Sequence, residues 1–261
     1  MHISLRILSE SGWANSAADL LQAWLARRED AVVGFPTGDT PLPFYAELRR
    51  RAQAGTFASG ALRAVMLDEY LLLPTSGASG AGEQQRPRFF CMLQEQLFTP
   101  LGIPQTRVLK MPAHEENLAA SCERFEQQLQ HWGGCDLLFL GLGRNGHIAF
   151  NEPGTAFLSR TRQVQLRPES VTTNAAGQPG SAAPGRAVSM GIATILSARQ
   201  ICLLVRGEHK AAILRRILDE PVSPELPASF LRLGANVVIL ADQAAAGHLP
   251  TTMAHGPESG Y

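Results

Sequence analysis

The sequence has no excess of either charge and no long apolar run, and these absences exclude several classes of protein. Its 261 residues include 23 Lys and Arg and 23 Asp and Glu, so the formal net charge at pH 7 is zero. It has no basic stripe with interleaved aromatic residues, which argues against nucleic acid as a partner. Nowhere do about 18 uncharged apolar residues follow one another, so we expect no membrane-spanning helix. Residues 1–30 also lack the pattern of an export signal, and we expect a soluble, unexported protein.

Paired or clustered cysteines are also missing. The four cysteines show no Cys-x-x-Cys or Cys-x-x-His spacing, which argues against a disulfide framework or a structural zinc site and fits a reducing cytoplasm. The chain is 45% hydrophobic, and its length allows one substantial core or two small ones, of which one core is favoured. We therefore expect a single domain over residues 1–261.

Short apolar runs alternate with helical patterns along most of the chain. The expected strands are residues 2–8, 31–35, 62–67, 136–140, 200–205 and 236–241. The expected helices are residues 13–28, 43–54, 89–98, 117–132, 192–196 and 208–218. This alternation predicts an α/β fold with a mostly parallel sheet covered on both faces. Residues 74–88 and 170–186 are rich in small residues, and we expect them to be binding loops rather than domain linkers.

The most informative segment is residues 136–154, DLLFLGLGRNGHIAFNEPG, in which an apolar strand ends at a glycine-rich turn. We expect Gly141 and Gly143 to turn the backbone with positive φ. His147 and Glu152 would then lie beyond the carboxyl end of the strand, where ligands bind in open α/β sheets. An isolated loop histidine is more often structural, so its interpretation depends on the other segments.

A second segment, PTGDTP at residues 36–41, follows an expected strand and precedes an expected helix. Its backbone N–H groups could cradle an anion at the helix N-terminus. An ordinary turn, with Thr40 as N-cap and Pro41 as the first helical residue, explains the pattern equally well. Asp39 also places a carboxylate where an anion would dock.

Two further segments place charged side chains after expected strands. Asp68 follows a strand that should be buried, and a partly desolvated carboxylate has a raised pKa and can act as a base. The alternative for Asp68 is a helix cap or a loop acid. Lys210 lies at a strand-to-helix junction, where it would either meet a phosphate or remain solvated. Because all these segments fall at carboxyl ends of strands, together they predict one site for proton transfer on a small anionic sugar.

These segments, in this order, resemble the glucosamine-6-phosphate deaminase family, also called glucosamine-6-phosphate isomerase, which is related to the 6-phosphogluconolactonases. The resemblance spans nearly the whole chain, and its most specific element is NGHIAFNEPG at residues 145–154. The supporting motifs are FPTGDTP, LDEY, GEHKA and LPASFL. It implies a Rossmann-like α/β fold, no metal and no organic cofactor, and an amino-sugar phosphate as the small-molecule partner. It leaves both a monomer and a homo-oligomer open.

The resemblance also implies a mechanism. His147 would assist opening of the sugar ring, Glu152 would hold and polarise the imidazole, and Asn145 would help to orient it. Asp68 would take the C2 proton of the open-chain amino sugar and return it at C1, after which the C2 imine hydrolyses and ammonia leaves. Two alternatives remain, a 6-phosphogluconolactonase-like hydrolase and a sugar-binding regulator without catalysis.

The residues that the resemblance assigns to the phosphate are Thr37, Gly38, Asp39, Thr40 and Lys210. The chain departs from the family pattern here. Asp39 replaces a usual glycine, and Ala176 stands where the family has a phosphate-binding arginine.

Two other positions depart from the pattern. Asn145 stands where many members have an aspartate, and Arg88 occupies the place of a small serine. One hypothesis is that Arg88 pairs with Asp39 or partly replaces the missing guanidinium. The rival hypothesis is an unphosphorylated amino-sugar substrate, with Asp39 binding a hydroxyl or an amine.

Overall fold

The computed structural model describes residues 2–71, 87–113, 117–166 and 185–250. The ten strands in this part of the chain are β1 (His2–Leu8), β2 (Val32–Phe35), β3 (Arg63–Met66), β4 (Asp68–Tyr70), β5 (Val108–Leu109), β6 (Leu137–Gly141), β7 (Arg162–Gln165), β8 (Arg186–Ser189), β9 (Gln200–Val205) and β10 (Asn236–Asp242). Seven of them form one parallel sheet in the order β1-β10-β9-β6-β2-β3-β5. The sheet thus joins strands from both ends of the chain.

Helices cover this sheet. They are α1 (Glu10–Arg27), α2 (Leu42–Gln53), α3 (Arg88–Leu93), α4 (Leu118–His131), α5 (Ile192–Leu196) and α6 (Ala211–Asp219). A π-helical turn, Gln94–Phe98, continues α3, and 3-10 turns span Gln105–Arg107, Glu208–Lys210 and Pro227–Leu233. No helix in the described ranges is long and apolar enough to cross a membrane.

Consecutive buried residues explain why the central strands form where they do. Every residue of β2 is buried, as are the first four of β6 and the last five of β9. Because neighbouring residues of a strand face opposite sides of a sheet, such runs need cover on both faces. The predicted α/β fold with a mostly parallel sheet is confirmed, while the extent of the domain, residues 1–261, stays a prediction.

A second sheet, which the sequence did not indicate, is antiparallel with the order β4-β8-β7. Only Leu67 separates the end of β3 from the start of β4. The chain therefore passes from the parallel sheet into the small one at Asp68, which pairs with Ser189. The backbone of Asp68 is therefore held between β3 in the parallel sheet, just before it, and β8 in the small sheet, with which it pairs.

Several local predictions need correction. The helix after β2 begins at Leu42, with Pro41 at the cap position and no side-chain cap, so Thr40 is not the N-cap. The helix expected over residues 89–98 is a short α-helix that runs into the π-helical turn. Most of the two expected binding loops, together with Ala176, falls in residues 72–86 and 167–184, outside the described residues.

Candidate functional site

The carboxyl ends of four adjacent parallel strands bring the predicted segments together. In the order β9-β6-β2-β3, each strand is followed by one of them: Lys210 after β9, residues 142–152 after β6, residues 36–40 after β2 and Asp68 after β3. Since all four strands run in the same direction, these segments lie at one edge of the sheet.

Asp68 is a nearly buried carboxyl group, with 7% of the residue exposed. Burial, followed by the charge of the adjacent Glu69, raises its pKa from 3.8 to about 7. A long hydrogen bond, in which Thr37 Oγ1 donates to Asp68 Oδ1 at 3.4 Å, opposes this rise. A carboxyl group with a pKa near 7 can both take and return a proton at neutral pH.

Glu69 is a second buried carboxyl group, and its oxygens already have backbone donors. They accept the N–H groups of Tyr70 at 2.9 Å, Phe89 at 3.1 Å and Phe90 at 2.8 Å. Burial raises the pKa of Glu69, and these hydrogen bonds oppose the rise. Glu69 therefore ties the end of β4 to the first turn of α3. The sequence did not reveal this role, because two of the donors lie about 20 residues away along the chain.

The loop after β2 offers unused backbone donors. Gly38 has a φ of 91°, a conformation that favours glycine, and a Cβ there would have nothing within 4 Å. Among the hydrogen bonds of the described residues, none uses the N–H of Gly38, Asp39 or Thr40. Asp39 is exposed. The hydroxyl of Tyr45 donates to the carbonyl of Pro36 at 2.5 Å and holds the loop against α2.

The turn before His147 corrects the expected roles of its glycines. Neither Gly141 nor Gly143 has positive φ, whereas Gly146 has a φ of 85°. The N–H of Gly143 donates to the carbonyl of His147 at 2.9 Å. A Cβ on Gly143 would lie 2.4 Å from the imidazole ring. Gly143 is thus needed for close approach of the ring, and Gly146 for the backbone turn.

His147, Glu152 and Asn145 form a group around one carboxylate oxygen. Asn145 Nδ2 donates to Glu152 Oε2 at 2.7 Å, and the backbone N–H of His147 donates to Asn145 Oδ1 at 3.1 Å. The His147 Nδ1 atom is 3.8 Å from Glu152 Oε2, too far for a hydrogen bond. In the part of the chain that the structure describes, this nitrogen has no hydrogen-bond partner.

The surroundings of His147 favour the neutral form of its imidazole. Burial lowers its pKa, and the charge of Lys210 lowers it further, whereas the carboxylate of Glu152 raises it. A neutral imidazole can accept a proton at one nitrogen and donate one from the other.

Lys210 is also nearly buried, and its Nζ donates to the carbonyl of Leu142 at 2.5 Å. Burial, followed by the charge of Arg144, lowers its pKa to about 8. Its backbone is set by Gly207, which has a φ of 90° and donates its N–H to both carboxylate oxygens of Asp242 at 3.0 Å. The sequence did not indicate Asp242, which lies on a different strand.

Arg88 begins α3, and its guanidinium lies 5.9 Å from the centre of the Tyr70 ring. The pairing of Arg88 with Asp39 stays a prediction. No group of three or more His, Cys, Asp or Glu side chains within the described ranges could hold a metal ion.

Comparisons with known proteins agree with this architecture. Residues 10–240 match the family model of glucosamine-6-phosphate isomerases/6-phosphogluconolactonase. A glucosamine-6-phosphate deaminase of Geobacillus sp. (strain WCH70) is 35% identical over 91% of this chain and 92% of its own length. One from Shewanella loihica is 38% identical, over 90% of this chain and 85% of its own length.

Solved structures give the same relationship. The chain superposes on a structure described as a monomeric glucosamine-6-phosphate deaminase with a TM-score of 0.83, 34% identity and coverage of 95% of this chain and 100% of the other. The 6-phosphogluconolactonase of Leishmania guyanensis has a TM-score of 0.70 at 20% identity, covering 96% and 100% of the two chains, and this similarity shows the fold alone. The chain belongs to the family of glucosamine-6-phosphate isomerases and 6-phosphogluconolactonases.

Proposed function

We propose that this protein converts glucosamine 6-phosphate into fructose 6-phosphate and ammonia by aldose-ketose isomerisation coupled to deamination. The observation that carries the proposal is Asp68, a buried carboxyl group with a pKa of about 7, at the same sheet edge as the neutral His147. Relatives covering most of the chain, including one from Bacillus subtilis at 35% identity, are named for this deaminase activity.

Ring opening comes first in the proposed reaction. The neutral His147 accepts the proton of the anomeric hydroxyl and delivers a proton to the ring oxygen, so that the C1–O bond to the ring oxygen breaks and an aldehyde forms. The backbone bond to Asn145 fixes the histidine, while Glu152 stabilises the transient imidazolium by its charge. Asn145 in turn holds the Glu152 carboxylate.

Proton transfer between C2 and C1 follows. Ionised Asp68 takes the proton from C2 while the C1 oxygen takes up a proton from water, and a cis-enolamine results. Asp68 then returns its proton to C1, which leaves an iminium at C2. Water adds to C2 and ammonia leaves, so that the ketose phosphate remains. A base with a pKa of about 7 suits both halves of this transfer, because neither proton form is strongly favoured at neutral pH.

Glu69 is not the proposed base, although it adjoins Asp68. Its oxygens accept the backbone N–H groups of Phe89 and Phe90 in the first turn of α3 and of Tyr70 in β4. A carboxylate bound in this way would have to give up those hydrogen bonds before it could approach a sugar. Its proposed contribution is its negative charge, which raises the pKa of Asp68.

The substrate phosphate is proposed to bind at the loop of Thr37, Gly38, Asp39 and Thr40 and at Lys210. The unused N–H groups of this loop and the ammonium of Lys210 supply donors at one sheet edge. The carboxylate of Asp39 opposes a phosphate, at a cost of about 1 to 4 kcal/mol at surface-like dielectric. Arg88 is proposed to offset this charge, and the rival proposal remains an unphosphorylated amino sugar.

We further propose that the enzyme works in the cytoplasm and needs neither metal nor organic cofactor. The four cysteines are free thiols, which fits a reducing compartment. The proposed chemistry uses only side-chain acids and bases.

The proposal is tested by measuring ammonia release from glucosamine 6-phosphate and from glucosamine under the same conditions. We expect ammonia from glucosamine 6-phosphate, with kcat/KM at least about tenfold above that for glucosamine. This factor corresponds to the free energy of one charge-assisted hydrogen bond to the phosphate. Higher kcat/KM for glucosamine would favour the rival substrate. No ammonia from either, together with hydrolysis of 6-phosphogluconolactone, would favour the lactonase. Binding without any turnover would favour the regulator.

A further inference from the structure

Arg144 stands in the same turn as His147 and has no assigned role in the reaction. It directly follows Gly143, beyond the carboxyl end of β6, and is exposed. Among the hydrogen bonds and ion pairs of the described residues, none includes Arg144. Arg51, by contrast, pairs with Glu47.

Arg144 lies near two other basic side chains, Lys210 and His209. Two residues before it, the carbonyl of Leu142 accepts the ammonium of Lys210 at 2.5 Å. The charge of Arg144 contributes, after burial, to the lowered pKa of Lys210. Desolvation and the charges of Lys210 and Arg144 also lower the pKa of His209, against the opposing effect of Asp242. The charges of Arg144 and Lys210 thus lie close enough to repel each other, and both disfavour protonation of His209.

Asp242, the acid that acts on His209, is bound to backbone donors. The oxygens of Asp242 accept the N–H groups of Gly207 and Ala245. Like charges held together without a dedicated counterion favour binding of an anion, because the anion removes their repulsion.

We propose that Arg144 binds the phosphate of the sugar substrate together with Lys210, and so supplies the guanidinium that Ala176 cannot. This assignment rests on the proposed function and names a further residue of its phosphate site. The neighbouring strands β6 and β2 place the Arg144 turn beside the loop of residues 36–40, whose N–H groups are unused. A guanidinium can bind two phosphate oxygens at once, which an ammonium does less well.

Arg144 fits this role better than Arg88 does. The Arg88 guanidinium lies over the ring of Tyr70, at the start of α3. Arg144 instead shares a turn with the acceptor of Lys210, the residue to which the phosphate is assigned.

The test measures binding of fructose 6-phosphate and of fructose by isothermal titration, in the wild type, Arg144→Ala, Arg144→Lys and Arg88→Ala. Arg27→Ala, at the exposed end of α1, is the control. We expect Arg144→Ala to weaken fructose 6-phosphate binding about tenfold, Arg144→Lys to restore part of the loss, and fructose binding to stay unchanged. With glucosamine 6-phosphate, KM should rise about as much while kcat changes less than about twofold, because the phosphate does not react.

Two results would overturn the assignment: unchanged affinity of Arg144→Ala for fructose 6-phosphate, or an equal loss for fructose and its phosphate. A larger loss in Arg88→Ala than in Arg144→Ala would transfer the role to Arg88. Because binding is measured without turnover, failure of the deaminase proposal is seen separately, as absence of ammonia despite binding that depends on Arg144.

Discussion

Asp68→Asn should make the protein more stable, and more so at pH 8 than at pH 5. An acid whose pKa is higher in the folded than in the unfolded state holds its proton more tightly when folded, so its ionisation weakens folding as pH rises. For Asp68 this destabilisation is absent below about pH 4, grows between about pH 4 and 7, and is complete above about pH 7. The amide that replaces the carboxyl group in this variant cannot ionise, and it removes this cost.

The magnitude follows from the pKa of about 7 against 3.8. At about 1.4 kcal/mol per pKa unit, the full cost is about 4 kcal/mol at pH 8, and about 2 kcal/mol has developed at pH 5. Packing and hydrogen-bond differences between Asp and Asn do not vary with pH. The stabilisation by Asp68→Asn should therefore be about 2 to 3 kcal/mol larger at pH 8 than at pH 5.

The assay is urea unfolding of both proteins at the two pH values, with linear extrapolation to water. Asp19→Asn is the matched control, because the Asp19 side chain is 66% exposed and its ion pair with Arg51 is worth little. Its effect should differ by less than about 1 kcal/mol between the two pH values. Equal effects of Asp68→Asn at pH 5 and pH 8 would refute the claim that burial raises the pKa of Asp68.

Two more predictions concern the residues around the reacting groups. Glu69→Gln removes a charge that raises the pKa of Asp68, so the rise of kcat/KM with pH should shift to lower pH by up to about one unit. An unchanged pH profile would show that the charge of Glu69 does not affect the pKa of Asp68. Gly143→Ala places a Cβ 2.4 Å from the His147 ring and should lower kcat about 100-fold, whereas Gly141→Ala has open space and should leave kcat unchanged. Equal kcat values of these two variants would contradict the packing of His147 on Gly143.

The parallel sheet and the gathering of the site at its edge could be predicted from the sequence. Strands such as β2 and β6 have no polar face, so their uninterrupted apolar sequences indicate parallel strands buried on both sides. Asp68, His147 and Lys210 then follow strand ends, and topology places them together. The sugar substrate and the order of proton transfers came from the family resemblance.

The small antiparallel sheet could not be predicted. β4 has three residues, follows β3 after a single leucine and begins with two acidic residues, so its sequence does not indicate a strand. The roles of the glycines could not be predicted either. The sequence does not distinguish a glycine with positive φ, such as Gly146, from one in close contact with a side chain, such as Gly143.

Side chains that bind distant backbone groups leave no local signal. Glu69 meets the N-terminal turn of α3, and Asp242 meets Gly207 on the preceding strand-to-helix turn. Neither spacing corresponds to a local capping pattern. Both residues nevertheless support the site: Glu69 adjoins Asp68, and Asp242 holds the Gly207 turn that leads to Lys210.

Asp68 is proposed to move the proton between C2 and C1 of an amino-sugar phosphate. This role is tested most directly by turnover of glucosamine 6-phosphate labelled with deuterium at C2, with ammonia, fructose 6-phosphate and the label at C1 measured together. We expect one ammonia per fructose 6-phosphate, transfer of part of the label to C1 with the rest exchanged for solvent hydrogen, and a loss of about 10²- to 10⁴-fold in kcat for Asp68→Asn. No ammonia and no fructose 6-phosphate from the wild type, or Asp68→Asn with undiminished kcat, would contradict this role.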